Sequence, residues 1–192
     1  AAGQNHTAFI KSDNSLWTVG KNTFGQLGNG STNDESTPVQ IVASGVTRVA
    51  CGSHFTLFTK SDGSLWSFGY NYYGQLGHGN SAEYGTSTGV TSPVQVLSSG
   101  VSQSKKGISA GHQHALFIKT DGTLWGMGNK LNSRLGTTSS YPSGNENAPA
   151  QVLDSTGSAF QTDVHMVSAG FEHTLFTAGS TKKLWVMGDD YH

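Results

Sequence analysis

The chain has one cysteine, Cys51, four prolines and three methionines in 192 residues. A single thiol excludes an internal disulfide framework. Set in the stretch Val49-Ala-Cys-Gly52, it reads as a small buried residue rather than a reactive one. Charge is scarce too: 12% of residues are charged and the formal net charge is -1. That balance gives no electrostatic reason to expect nucleic acid or an anionic membrane as partner. No apolar run approaches the roughly 20 residues that cross a bilayer, so membrane insertion is not expected. The start, Ala1-Ala2-Gly3, carries no Met, basic segment or apolar signal core, and reads as a processed or cut end.

Glycine is what the chain has in quantity, at 26 residues. Ser, Thr and Asn fill the spaces between short apolar runs. Many short strands joined by tight turns suit that composition, and helices do not.

Self-comparison fixes the architecture. Four segments align, led by Gly3, Gly52, Gly111 and Gly170 at spacings of 49, 59 and 59 residues. The only four tryptophans, Trp17, Trp66, Trp125 and Trp185, fall in one register at spacings of 49, 59 and 60. The units run over about 1–50, 51–109, 110–168 and 169–192, the last truncated.

Each unit reads as strands. His6-Thr-Ala-Phe-Ile and its copies are short β-prone runs that end in polar turns, Ser12-Asp-Asn-Ser15 or Ser61-Asp-Gly-Ser64. The Asp-Gly copies are strong hairpin signals. Leu-Trp-x-x-Gly is the return strand, and Gly25-Gln-Leu-Gly28 or Gly74-Gln-Leu-Gly77 is a corner too tight for a helix. The strands after the loops start at Pro38, Pro93 and Pro149, which suits an entry or edge position. A fourth strand, Val46–Ala50 or His165–Ala169, returns to the next leading glycine. Four short antiparallel strands per period predict an all-β propeller with about three and a half blades in this chain.

Gly-x-x-His, then Asp-Gly-x-Leu-Trp-x-x-Gly, then x-Asn-x-x-Gly-Gln-Leu-Gly together resemble the regulator of chromosome condensation repeat, over essentially the whole chain. The resemblance implies a ring, usually of seven four-stranded blades. At this period that ring needs roughly 350 residues or more, so the chain is either a fragment or one of two copies that complete a ring as a homodimer. It also implies that Trp17, Trp66, Trp125 and Trp185 pack between blades. The histidines His6, His114 and His173 are then buried and hydrogen-bonded near the inner turn.

Three departures stand out. Phe55 takes the histidine position in the second unit. Ser133-Arg134-Leu135-Gly136 replaces the Gly-Gln-Leu-Gly corner in the third. The fourth gains one residue in its turn at Ser180–Lys183.

Catalytic chemistry finds no foothold. His112 and His114 alternate along one strand and so share a face, but no repeated Asp, Glu or Cys accompanies them as metal ligands. Neither a nucleophile elbow leading into a helix nor a phosphate-binding loop followed by a helix is expected. Asp13, Asp62 and Asp121 are turn residues rather than acid–base pairs. The expectation is therefore a non-catalytic scaffold whose loops recognise another protein or other macromolecule, with no cofactor and no metal.

Its long polar loops, His78–Ser92 and Thr137–Ala148, are where recognition is usually carried. Candidate anchors around them are Phe24, Tyr70, Tyr72, Tyr73, Lys130, Arg134 and Tyr141, aromatic or cationic as at interface hot spots. Two alternatives stand: an exchange-factor-like regulator of a small GTPase, implied by the resemblance, and a hydrolase or lyase using histidines and carboxylates at the ring mouth. The plant ultraviolet-B photoreceptor motif Gly-Trp-Arg-His-Thr is not met, since the chain has Gly3-Gln-Asn-His6-Thr7 and Gly111-His-Gln-His114-Ala115. The wording of the repeats resembles bacterial members, often exported, which implies an extracellular or cell-surface location.

Overall fold

The first three hairpin turns in the computed structural model are closed by a side-chain network that explains the Lys-Ser-Asp-Gly-Ser-Leu-Trp wording. Residues 1–79, 89–137, 145–153, 158 and 163–188 are described. Asp13, Asp62 and Asp121 accept the backbone N–H of Ser15, Ser64 and Thr123 at 2.9 Å. Those hydroxyls accept the indole N–H of Trp17, Trp66 and Trp125 at 2.8 Å. Hydrogen bonds from the hydroxyls and then the backbone hold all three carboxyls below the usual range. Lys11, Lys60, Lys119 and Lys183 cap the four indoles, 3.4, 4.6, 3.6 and 5.1 Å from the ring centroids.

The strands assemble into four antiparallel sheets. The first holds β1 (His6–Ile10), β2 (Leu16–Gly20) and β3 (Glu35–Val42). The second holds β4 (Val46–Cys51), β5 (Phe55–Lys60), β6 (Leu65–Gly69) and β7 (Val90–Leu97). The third holds β8 (Ile108–Ala110), β9 (His114–Ile118), β10 (Leu124–Asn129) and β11 (Asn145–Gln151). The fourth holds β12 (Val164–Ala169), β13 (His173–Ala178) and β14 (Lys183–Gly188). Each sheet is one blade of a partial propeller.

Blades are out of phase with the sequence repeats. Val46–Ala50 closes the first repeat, yet β4 pairs with β5 of the next blade, at Val46↔Lys60 and Cys51↔Thr56. Each repeat thus hands its last strand to its neighbour, which ties the blades together covalently and through the ladder. β4, β8 and β12 also pack on one another along the inner wall. Pro38 and Pro93 sit four residues into β3 and β7 rather than at their starts. Both strands lie at sheet edges, where a missing N–H costs no ladder bond.

Three apolar cores lie between consecutive blades. Ala8 and Leu16 meet Val46, Phe58 and Phe68 between blades 1 and 2. Phe55, Leu57 and Leu76 meet Ile108, Phe117 and Met127 between blades 2 and 3. Leu116, Leu124 and Val152 meet Val167 and Phe176 between blades 3 and 4. Trp66 and Trp125 pack half-buried against the first and second of these cores. Trp17 is half-buried as well, whereas Trp185 is 39% exposed. Inter-blade packing thus holds for the two inner tryptophans and is incomplete for the outer ones.

Candidate functional site

The loops that follow β2, β6 and β10 and the short turns that enter β5, β9 and β13 all emerge at one end of the blades, the loop end. At the inner rim of this end the leading glycines carry the register rings. A Cβ on Gly3 or Gly52 would lie inside contact distance of the His6 or Phe55 ring, so only glycine lets the ring lie flat on the turn. Backbone hydrogen bonds belt the rim across blades: Gln4 N to Ser53 O at 3.2 Å, Ser53 N to Gly111 O at 3.3 Å, and His112 N to Gly170 O at 3.3 Å. A groove of about 570 Å³ runs along this belt, lined in part by Gln4, Ser53, His112 and Phe171 from matching positions of four repeats.

Beneath the rim, two register histidines join blades. His6 lies with Nε2 2.9 Å from Thr56 Oγ1, and that hydroxyl donates to Gln26 O at 3.0 Å, so the imidazole is the donor. His114 repeats the arrangement with Thr174 at 3.1 Å, and Thr174 donates to Arg134 O at 2.9 Å. Burial drives the His6 pKa down to about 4 and that of His114 to about 3. Both rings are neutral struts. His173, the third register histidine, is exposed, a correction to its expected burial, because no described blade follows it. His112 is also displaced from expectation. It precedes β9 rather than sharing the strand with His114, and it stacks on Phe171 at 4.0 Å and 14°.

The aromatic anchors converge. Phe24, from the blade 1 corner, lies 4.8 Å from Tyr70 and 5.1 Å from His54 of blade 2. Tyr70 stacks with Tyr72 at 6.2 Å and 9°, and Tyr72 meets Tyr73 edge-on at 5.0 Å. Burial, then the neighbouring tyrosines, pushes the Tyr70 phenol up, and burial pushes the His54 imidazole down. The corner beneath is rigid. Asn71, buried, accepts the Leu76 N–H at 3.0 Å, as buried Asn22 accepts that of Leu27 at 2.9 Å. Phe24 and Tyr70 therefore bridge blades 1 and 2, while Tyr72, 42% exposed, presents its ring to solvent. Packing and presentation coexist in one cluster.

The third corner differs. Lys130 pairs with Glu146 at 3.3 Å, next to the short 3₁₀ turn Leu131–Ser133. Arg134 is not the exposed anchor expected: it is 2% exposed, its Nε donates to Leu131 O, and Nη2 reaches Glu172 of blade 4 at 3.4 Å. Arginine stands here in place of Gln26 and Gln75 because the facing position of the next blade is Glu172 rather than His54 or Gln113. Sequence reading missed this pairing, although aligning that second position would have exposed it. Tyr141 and most of both long loops lie outside the described residues, as do Asp189, Asp190 and His192.

Among the described residues, no group of three or more His, Cys, Asp or Glu could hold a metal ion. Cys51 lines the groove half-buried, and burial pushes its thiol up to about 11, which keeps it protonated at neutral pH.

Comparison with known proteins agrees with this geometry. A profile described as Regulator of chromosome condensation (RCC1) repeat matches residues 13–59 and 62–118, and a second profile of the same description matches 46–75 and 106–134. A Caenorhabditis elegans X-linked retinitis pigmentosa GTPase regulator homolog is 48% identical over 56 residues, 27% of this chain and 4% of that protein. The human probable E3 ubiquitin-protein ligase HERC3 is 38% identical over 55 residues, 27% of this chain and 5% of that protein. In structure, yeast RCC1 (Prp20), solved bound to Kap60, superposes with a TM-score of 0.80 at 21% identity, covering 98% of this chain and 42% of that one. Human WBSCR16 gives 0.76 at 24% identity, covering 98% and 46%. The chain spans less than half the length of these relatives. With the repeat matched over more than half the sequence and the blade architecture reproduced, the chain belongs to the regulator of chromosome condensation (RCC1) repeat family.

Proposed function

We propose that this chain is a non-catalytic binding module that holds another protein at the loop end of its blades, with Tyr72 and Tyr73 as principal anchors. The supporting observation is the contiguous ring cluster from Phe24 to Tyr72, bound below by buried, hydrogen-bonded corners and open to solvent above. Rigid aromatics lose little conformational entropy on binding and supply large contact areas. The charges around them are already neutralised: Lys21 pairs with Asp34 at 3.2 Å, Lys130 with Glu146 and Arg134 with Glu172. An aromatic patch inside a paired, polar rim has the composition of a protein interface. The test is retention of proteins from the source cells by immobilised chain, followed by direct titration of the retained protein. Tyr72→Ala with Tyr73→Ala should lose them, while Lys11→Ala at the opposite end should not.

A second reading is favoured by the relatives: a Caenorhabditis elegans protein similar to this chain is named a GTPase regulator homolog, and the yeast structure Prp20p is described for its binding to Gsp1p and histones. On that reading the bound protein is a small GTPase. Release of a fluorescent guanine nucleotide from the retained protein separates the two: acceleration by the chain supports exchange, and binding without acceleration supports a scaffold.

A further inference from the structure

The two ends of the blades differ in charge. Opposite the loop end lies the turn end, where the hairpin turns and the β7–β8 connection emerge. Of the chain's 11 Lys and Arg, only Lys21, Lys130 and Arg134 stand at the loop end, and each is paired with a carboxylate. The other eight stand at the turn end. Four cap the tryptophans and Lys182 adjoins one of these; Arg48, Lys105 and Lys106 lie on the inner rim. Described carboxylates at this end are Asp13, Asp62, Asp121 and Asp163, which leaves an excess of four cations among the described residues.

The inner-rim three are arranged by a feature found in blade 3. Between the register positions Val46↔Lys60 and Val49↔Phe58, blade 2 has two residues, Thr47 and Arg48. Between the matching Val101↔Lys119 and Ile108↔Phe117, blade 3 has six, Ser102–Gly107. The extra length folds back across the inner wall as a pinned bridge. Thr47 donates to Gln103 Oε1 at 2.6 Å, Arg48 Nε donates to Ser104 O at 3.2 Å, and Val167 N of blade 4 donates to Lys106 O at 3.2 Å. Gln103 Nε2 donates back to Lys60 O at 3.2 Å. The backbone is thus held by three blades, while the Lys105 and Lys106 side chains are exposed. Among the described residues, neither they nor Arg48 has a carboxylate within ion-pair distance.

We propose that this bridge is a second docking surface, for an acidic polypeptide segment, with Lys105 and Lys106 as its charge contacts and Arg48 bracing it. Three unpaired cations on a backbone anchored at both ends form a fixed positive patch, and fixed charges select an oppositely charged partner and speed its arrival. The observations favour a peptide over a nucleic acid. Asp13, Asp62 and Asp121 stand in the first three hairpin turns beyond the rim, and their hydrogen bonds keep them ionised. A long phosphate backbone crossing this end would meet a turn carboxylate at each of the first three blades, whereas a short acidic segment fits inside them. The surface is separate from the aromatic site, so the chain can hold two partners at once.

The experiment is fluorescence anisotropy with the full chain, a labelled oligoglutamate peptide, a labelled oligoglutamine control and a short labelled DNA duplex. The expected result is saturable oligoglutamate binding that weakens as salt rises, with no oligoglutamine binding. Lys105→Glu with Lys106→Glu should weaken it by roughly tenfold or more with an unchanged melting temperature, and Tyr72→Ala should leave it intact. No saturable peptide binding, equal binding by the double variant, or tighter binding of the DNA duplex would each overturn the proposal.

Discussion

His6 of blade 1 donates to Thr56 of blade 2, and the same pair recurs as His114 and Thr174 between blades 3 and 4. Between blades 2 and 3 the matching positions are Phe55 and Ala115, both fully buried in one apolar core. Where the donor is lost, the acceptor is lost with it. A Thr opposite Phe could still donate to a corner carbonyl, as Thr56 does to Gln26 O, but its hydroxyl would receive no bond from the facing ring. The two departures are therefore one substitution, made across a blade interface.

Phe55→His should consequently destabilise the chain by about 1–3 kcal/mol, since the imidazole would face Ala115 with nothing to accept its proton. Adding Ala115→Thr should recover at least about 0.5 kcal/mol of that loss, a coupling typical of directly touching residues. Urea unfolding of the single and double variants measures the coupling. Strict additivity would show that the two positions do not communicate.

Acid should weaken the blade 1–2 and 3–4 interfaces first. The ordinary histidine pKa of 6.5 falls to about 4 for His6 and about 3 for His114 on folding, chiefly through burial. Between these values the unfolded chain binds more protons than the folded one, so stability is complete above about pH 6.5 and declines as pH falls toward 4 and then 3. The two sites together lose several kcal/mol, of order 3 for His6 and of order 5 for His114. His6→Phe with Thr56→Ala, which copies the blade 2–3 interface, should flatten the dependence of the urea midpoint on pH across this window. An unchanged slope would remove His6 from the account.

Arg134 and Glu172 offer a test of the third departure. Glu172→Gln strands a buried guanidinium whose Nη1 already has no partner among the described residues, and should cost about 1–3 kcal/mol, discounted for the partial exposure of Glu172. Arg134→Gln with Glu172→Gln restores the residue types of Gln75 and Gln113 and should be milder than Glu172→Gln alone. Thermal unfolding of the three variants decides, and a double variant less stable than either single would contradict the pairing.

Trp66→Ala should cost about 3 kcal/mol, the low end for a large aromatic, because the ring is only half-buried against the blade 1–2 core. Trp185→Ala, with its ring 39% exposed, should cost clearly less. Equal losses would mean that the shared Lys–Trp contact, rather than inter-blade packing, sets the cost.

The repeat made most of the fold legible before any coordinates. Gly3, Trp17 and their copies mark positions where packing permits one residue type, so the period survives around them. Strand handover at Val46 was not legible: hydrophobic alternation shows a strand and not which sheet it joins. The exposure of His173 and the burial of Arg134 were hidden for a related reason, since both depend on the neighbouring blade. The nearness of Tyr70, Tyr72 and Tyr73 followed from their shared corner, but the place of Phe24, from the preceding blade, beside Tyr70 and His54 required the blades in place. The Ser102–Gly107 bridge was concealed by its own composition, because small polar residues with two lysines read as an ordinary loop.

The most direct test of the binding role is a paired measurement on Tyr72→Ala with Tyr73→Ala: affinity for the retained partner, and melting temperature. The account predicts at least about a tenfold loss of affinity, as for hot-spot aromatics, with melting almost unmoved. A collapse of melting temperature, or affinity equal to the parent chain, would show that these rings hold the blades together and that the partner binds elsewhere.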